Sequence, residues 1–353
     1  MRFDERLGLG VIAFVTGLAA CGGGAAPPVV PPVPSVAPSA APSAAPSASA
    51  DMPKNTPGAK GTSDETARGI KALQAGDLSG AKAALEAALK KNPKDAEALF
   101  YLGATYDKGG DRAGAEKAYR DALAVKPDLD EAAANLGALY VETEKFDDAI
   151  KVLKAAMAKR PDDQALRTNY ALALAGKGDK DGARKAFEDA LKATPGDATL
   201  LLTYGHWLGE WKDHDGALQK LRAARAAAGD NVGLLAGIGH ELHVQNAAGD
   251  CVPTFDKAIA IKDAAELRTE RAACKAAAKD EAGALADLQA ATSKEPTYAP
   301  AFYYLGNSYA RASKWDDALK AYEAYLKLQP SGPLSKSVQD KITAVKARKA
   351  GKK

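Results

Sequence analysis

The reactive side chains worth testing first are four histidines and three cysteines. His240-Glu-Leu-His243 puts two imidazoles on neighbouring turns of any helix that contains them. A zinc-protease helix needs its histidines at i and i+4 with the glutamate between them as base. Here the spacing is i and i+3, and Glu241 is turned about a quarter-circle away. His206 stands 34 residues before His240. Helices stacked about 10 Å apart could bring all three imidazoles together. A metal-binding or metal-dependent protein centred on His206, His240 and His243 is therefore one reading, kept as the alternative. No nucleophile–base pair, phosphate loop or paired-carboxylate motif accompanies these residues. The sequence thus names no catalytic residue and no cofactor, and it reads as a non-enzyme.

The elements that must position these residues are helical. Alanine dominates the apolar content, alongside Lys, Glu and Leu, while aromatic residues make up only 6%; that mixture favours helix. A net charge of +3 is near balance, and no basic patch is interleaved with aromatics, so nucleic acid is excluded as a partner.

The N-terminus differs from the rest. Leu7 to Ala20 form an apolar run of about fourteen residues, short of the roughly twenty that a membrane span needs. Arg2 and Arg6 precede it, as in an export signal. Leu18-Ala19-Ala20-Cys21 resembles the lipobox of bacterial lipoproteins. The resemblance implies removal of residues 1–20 and acylation of Cys21, palmitate included, which anchors the chain in a membrane. Gly22 stands where an aspartate would signal inner-membrane retention, so the expected site is the outer membrane of a bacterial cell envelope, facing the periplasm. Residues 21–61 are rich in Pro, Ala and Ser and can build no core, which makes them a spacer.

Beyond residue 61 the chain repeats. Pro93, Pro127, Pro161 and Pro195 follow one another at steps of 34 residues. With each proline numbered 32 in its unit, position 8 reads Gly69, Gly103, Gly137, Ala171, Gly205, Gly239 and, in the last unit, Gly306. Position 20 runs from Ala81 to Ala318 with Cys251 as its exception, and position 24 is large, from Leu85 to Tyr322. Small residues let two helices approach closely, and the large one fills what remains. Positions 4, 7, 8 and 11 make one stripe, the core face of a first helix. The proline stops the second helix.

This period, and stretches such as "YLGATYDKGGDRAGAEKAYRDALAVKP", resemble the tetratricopeptide repeat. The resemblance implies an all-α, right-handed α-solenoid of about eight helix-turn-helix repeats over 62–330. A polar capping helix and basic tail would then fill 331–353. Neighbouring units cover each other's apolar faces. In that family the concave face binds peptides or partner helices. The positions concerned are here Phe100, Tyr101, Asn135, Asn169, His206, His240, His243, Tyr303, Tyr304, Asn307 and Arg311. The basic residues of a chaperone-tail clamp are absent from this set. The expected function is a membrane-anchored scaffold that holds a protein or peptide partner of the cell envelope. Nothing in the sequence sets an oligomeric state.

Unit 7 is irregular, because a residue is missing between units 6 and 7. Counting back from Pro296 puts Arg271 and Lys275 at core positions 7 and 11. Counting forward puts Ala272 and Ala276 there, with the deletion near Lys279, and is preferred because it buries no charge. Small side chains make this unit the expected soft joint. Cys251 and Cys274 sit on adjacent antiparallel helices, so a disulfide between them is possible, although the preferred count turns Cys274 toward the groove.

Overall fold

The computed structural model describes residues 63–351, so Cys21, its signal and the spacer lie outside the described residues. The described chain is a succession of antiparallel helix pairs. The first four pairs are α1 (Asp64–Gln74) with α2 (Leu78–Lys91), α3 (Ala96–Lys108) with α4 (Arg112–Val125), α5 (Asp130–Glu142) with α6 (Phe146–Met157), and α7 (Gln164–Lys177) with α8 (Lys180–Ala193). The next four are α9 (Ala198–Glu210) with α10 (His214–Ala227), α11 (Val232–Val244) with α12 (Ala248–Ile261), α13 (Ala265–Ala277) with α14 (Glu281–Lys294), and α15 (Ala299–Arg311) with α16 (Trp315–Leu328). A last helix, α17 (Ser335–Ala350), closes the series. Among the described residues there is no strand, and no helix is long and apolar enough to cross a membrane. The architecture is an α-solenoid.

One contact recurs in the pairs. The position-8 residue of each first helix lies against the large side chain sixteen places later on the second. A Cβ added to Gly103 would come within 2.6 Å of the Tyr119 ring, and one added to Gly239 within 2.6 Å of the Phe255 ring. Real Cβ atoms do not approach that closely, so glycine sets the distance between the two helices. Ala171 and Ala272 occupy the same place in units 4 and 7, both buried, so a methyl is accommodated there. Tyr119, Phe187, Phe255 and Tyr322 fill the opposite side and are buried to 1% exposure or less.

The turn between paired helices is equally regular. Its position-15 residue adopts a left-handed backbone in every unit: Gly76, Gly110 and Gly178 where glycine is present, and Glu144, Lys212, Asn246, Lys279 and Ser313 elsewhere. In five of the eight units an aspartate just before the second helix caps it, whereas Lys145, Ala247 and Lys314 stand there in the others. Asp111 accepts from Gly114 N–H at 2.9 Å, and Asp179 and Asp213 do the same for Gly182 and Gly216. A carboxylate there satisfies otherwise orphaned N–H groups and faces the positive end of the helix dipole.

These landmarks correct the register of unit 7. Lys279 is the left-handed residue of a turn of ordinary length, and Ala272 packs sixteen places before Leu288. The deletion therefore lies before α13, where only residues 262–264 connect α12 to it. The backward count holds, and Arg271 and Lys275 occupy positions 7 and 11. Their charge is tolerated because Asp287, on α14, supplies a counter-charge whose side chain is only 4% exposed. Arg271 clasps it with Nε to Oδ2 at 2.8 Å and Nη2 to Oδ1 at 2.5 Å. Lys275 Nζ lies 2.9 Å and Arg268 Nη1 3.5 Å from the same carboxylate. Arg271 also reaches back to Asp256 on α12 at 2.7 Å, tying unit 6 to unit 7. Burial pushes the Asp287 carboxyl up, but hydrogen bonds from Arg271 and Lys275 outweigh it and hold its pKa below the ordinary value.

Two predictions follow from this packing. Gly103→Val forces branched bulk against Tyr119 and should cost about 2 kcal/mol, the usual range for overpacking, read as a lower urea midpoint; an unchanged midpoint would mean the helices are not in close contact. Asp287→Asn removes the carboxylate that Arg268, Arg271 and Lys275 share, leaving Asp263 and Asp256 to Arg268 and Arg271, and should cost about 3 kcal/mol near neutral pH. Because the folded pKa of Asp287 lies below the unfolded value of about 3.9, its contribution is present above that pH and drains away as the pH falls through the folded pKa. The gap between wild type and variant should therefore close in acid.

Candidate partner-binding face

The first helices of successive units lie side by side, and the residues singled out as a groove all stand on them. The structure divides them into two groups. Phe100, Tyr101, Asn135, Asn169 and Tyr303 are buried. Phe100 meets Tyr101 edge-on, with ring centroids 5.0 Å apart, and lies 6.0 Å from the Tyr119 ring. Asn135 Nδ2 donates to the Tyr119 hydroxyl at 3.4 Å, and Asn169 Nδ2 to the Ala134 carbonyl of the preceding unit at 3.3 Å. Tyr303 packs on Tyr304 and Tyr325, with Lys341 of α17 5.7 Å from its ring centre. These side chains hold the stack together. Read one unit at a time, a helix presents such positions outward; the neighbouring elements fold over them.

His206, His240, His243, Tyr304, Asn307 and Arg311 keep at least part of their surface. Arg311 pairs with Glu281 at 3.2 Å, and Asn307 accepts from the Tyr322 hydroxyl at 2.8 Å. Tyr304 contributes a ring that is largely packed, and its hydroxyl pKa is pushed up by burial. Trp207 and Trp211 pack against each other, with the Arg184 guanidinium of the preceding unit 5.3 Å from the Trp211 ring, so they join two units.

The three histidines do not converge. His206 Nδ1 is 3.0 Å from Glu241 of the next unit, and His240 Nδ1 is 3.6 Å from Glu270 of the unit after that. Each imidazole thus bridges to a carboxylate one repeat further on, which separates His206 and His240 from any common centre. Pairing with Glu270 raises the His240 pKa, against the opposing effect of burial. Burial lowers that of His243, which has no such partner. Glu241 and Glu270 were not among the expected site residues. The signal for Glu241 was present in its spacing from His206, one residue more than the repeat length.

His243 turns toward Cys251 and Cys274 instead. The two cysteines form a disulfide from α12 to α13, with Cα atoms 5.9 Å apart. Both are fully buried. Among the described residues, His243, Cys251 and Cys274 are the group of potential metal ligands that the fold brings together.

One further property marks this face. The buried side-chain polar atoms left without a hydrogen bond are the Gln164 amide, Asn169 Oδ1, His243 Nδ1, Glu270 Oε2 and the Tyr304 hydroxyl. All belong to first helices: α7, α11, α13 and α15. Second helices, among the described residues, carry none.

Comparison with known proteins agrees with this geometry. Family models described as tetratricopeptide repeat match residues 66–130 and 134–198, and again 299–331. No curated protein matches the chain. Among solved structures, yeast Tom70 is similar at 14% identity and a TM-score of 0.56, over 86% of this chain and 70% of that one. A tetratricopeptide repeat protein from Parabacteroides merdae is similar at 18% identity and a TM-score of 0.50, over 65% of this chain and 91% of that one. At these identities the likeness concerns the fold alone. The recurring helix pairs, their close-packed glycines and these matches show an α-solenoid that carries tetratricopeptide repeats at residues 66–130, 134–198 and 299–331.

Proposed function

We propose that this protein is a lipid-anchored scaffold whose first-helix face binds a protein or peptide partner of the bacterial cell envelope. A tetratricopeptide fold suggests a protein-interaction scaffold rather than an enzyme. The observation that carries the finer reading is that the first helices keep part of the surface of His206, His240, His243, Tyr304, Asn307 and Arg311. Imidazole, hydroxyl, amide and guanidinium groups there can hydrogen-bond the backbone or side chains of an extended peptide or partner helix. Cys21 and the spacer after it support an anchor that leaves the repeats clear of the membrane.

Two measurements test this reading separately. Cys21→Ala should move the protein from the membrane fraction to the soluble one; retention in membranes would remove the anchor from the account. A photo-crosslinking residue placed at His206 or at Arg311 in cells should capture the same protein, whereas one at the exposed Lys117 of α4 should not. Equal capture from all three sites would show that the first-helix face is not the binding surface.

A further inference from the structure

We infer that, when the Cys251–Cys274 bond is reduced, the two thiolates and the His243 imidazole form a binding site for one thiophilic metal ion, zinc(II) in particular. The inference goes beyond the scaffold reading and does not depend on it.

The three ligand atoms lie within 4.8 Å of one another. Around tetrahedral zinc, with bonds of about 2.3 Å to sulfur and 2.0 Å to nitrogen, donors stand about 3.5 Å apart. The Cα atoms of Cys251 and Cys274 are 5.9 Å apart, and opening the disulfide frees the sulfurs to separate. The ligands come from α11, α12 and α13, so they sit on three packed elements rather than on a loop. His243 is the imidazole suited to the task. His206 and His240 face Glu241 and Glu270, and His214 bonds Gln245 at 2.7 Å. His243 Nδ1 is buried and has no hydrogen-bond partner. Two thiolates at fully buried positions would be costly on their own, and a dication neutralises them. Glu270, one turn before Cys274 on α13, places further negative charge near His243. Three protein ligands leave the fourth position to water.

The chemistry balances with a dithiol as reductant. The disulfide takes two electrons and two protons from the dithiol, which closes to its own disulfide, and two cysteine thiols result. Zinc(II) then displaces one proton from each thiol. Reoxidation by a disulfide oxidant returns the Cys251–Cys274 bond and releases the ion. Metal and disulfide are therefore mutually exclusive states of one site.

The test uses the full chain carrying Cys21→Ala, so that the pair supplies the only thiols. It is unfolded and refolded anaerobically under dithiothreitol, desalted, and titrated with cobalt(II) and then zinc(II). The dithiol chain should take up one cobalt(II), with a thiolate-to-cobalt charge-transfer band and the d–d bands of a tetrahedral ion, and equimolar zinc(II) should displace it. The disulfide form should show neither band. His243→Ala should keep both thiols and the helical spectrum but bind cobalt(II) at least about 10-fold more weakly, as loss of a metal-site partner does. Refolding that requires zinc(II) would also support the site, since metal binding can drive folding. A refolded dithiol chain without charge-transfer absorption, unaltered affinity in His243→Ala, or failure to refold even with zinc(II) would overturn it.

Discussion

The structure depends on how closely two helices can approach. In each unit the position-8 residue of the first helix has little or no side chain, and the position-24 side chain of the second fills the space left. The rest follows from keeping that contact. The turn must reverse the chain within three residues, which puts position 15 in the left-handed region even where it is Glu144 or Lys212. Strain of that kind persists only where the surroundings over-determine it. Closely approached helices leave an apolar face uncovered, and only a neighbouring unit can cover it.

Unit 7 shows what happens when the apolar contact thins. Its core is Ala272, Ala284 and Leu288, with Leu305 and Ala321 from the next unit, and it separates the larger clusters on either side. Here the chain substitutes two other devices. Asp287 gathers Arg268, Arg271 and Lys275, and the Cys251–Cys274 bond crosses from unit 6. A buried ion cluster holds only when every member is compensated, and this one draws its members from α12, α13 and α14. The joint expected to be soft carries a disulfide and a buried ion cluster. It is also where His243 faces sulfur, so mechanical and chemical roles share one place.

Much of this was legible in the sequence. The 34-residue proline step and the small residues at positions 8 and 20 announce paired helices before any coordinate is known. The register of unit 7 is not legible there, because the counter-charge that lets Arg271 and Lys275 be buried comes from Asp287, outside the motif positions. The face residues were legible as a set, but not their burial. Periodicity assigns Phe100 and Tyr101 to a face of one helix and says nothing of what the next helix covers. His240 and His243 look convergent on one helix, yet their fates are set by Glu270 and by Cys251, which lie on other elements. Contacts within a repeat can be read from its period; contacts between repeats depend on substitutions that break the period.

Hydrogen exchange along the chain, followed by mass spectrometry, tests most directly whether ionic and covalent ties replace the apolar contact in unit 7. With the disulfide intact, α13 and α14 should be protected to the same degree as α11 and α12. Reduction without metal should release protection in α12, α13 and α14 while α3 to α6 stay unchanged. Rapid exchange of α13 and α14 already in the oxidised protein would contradict the account.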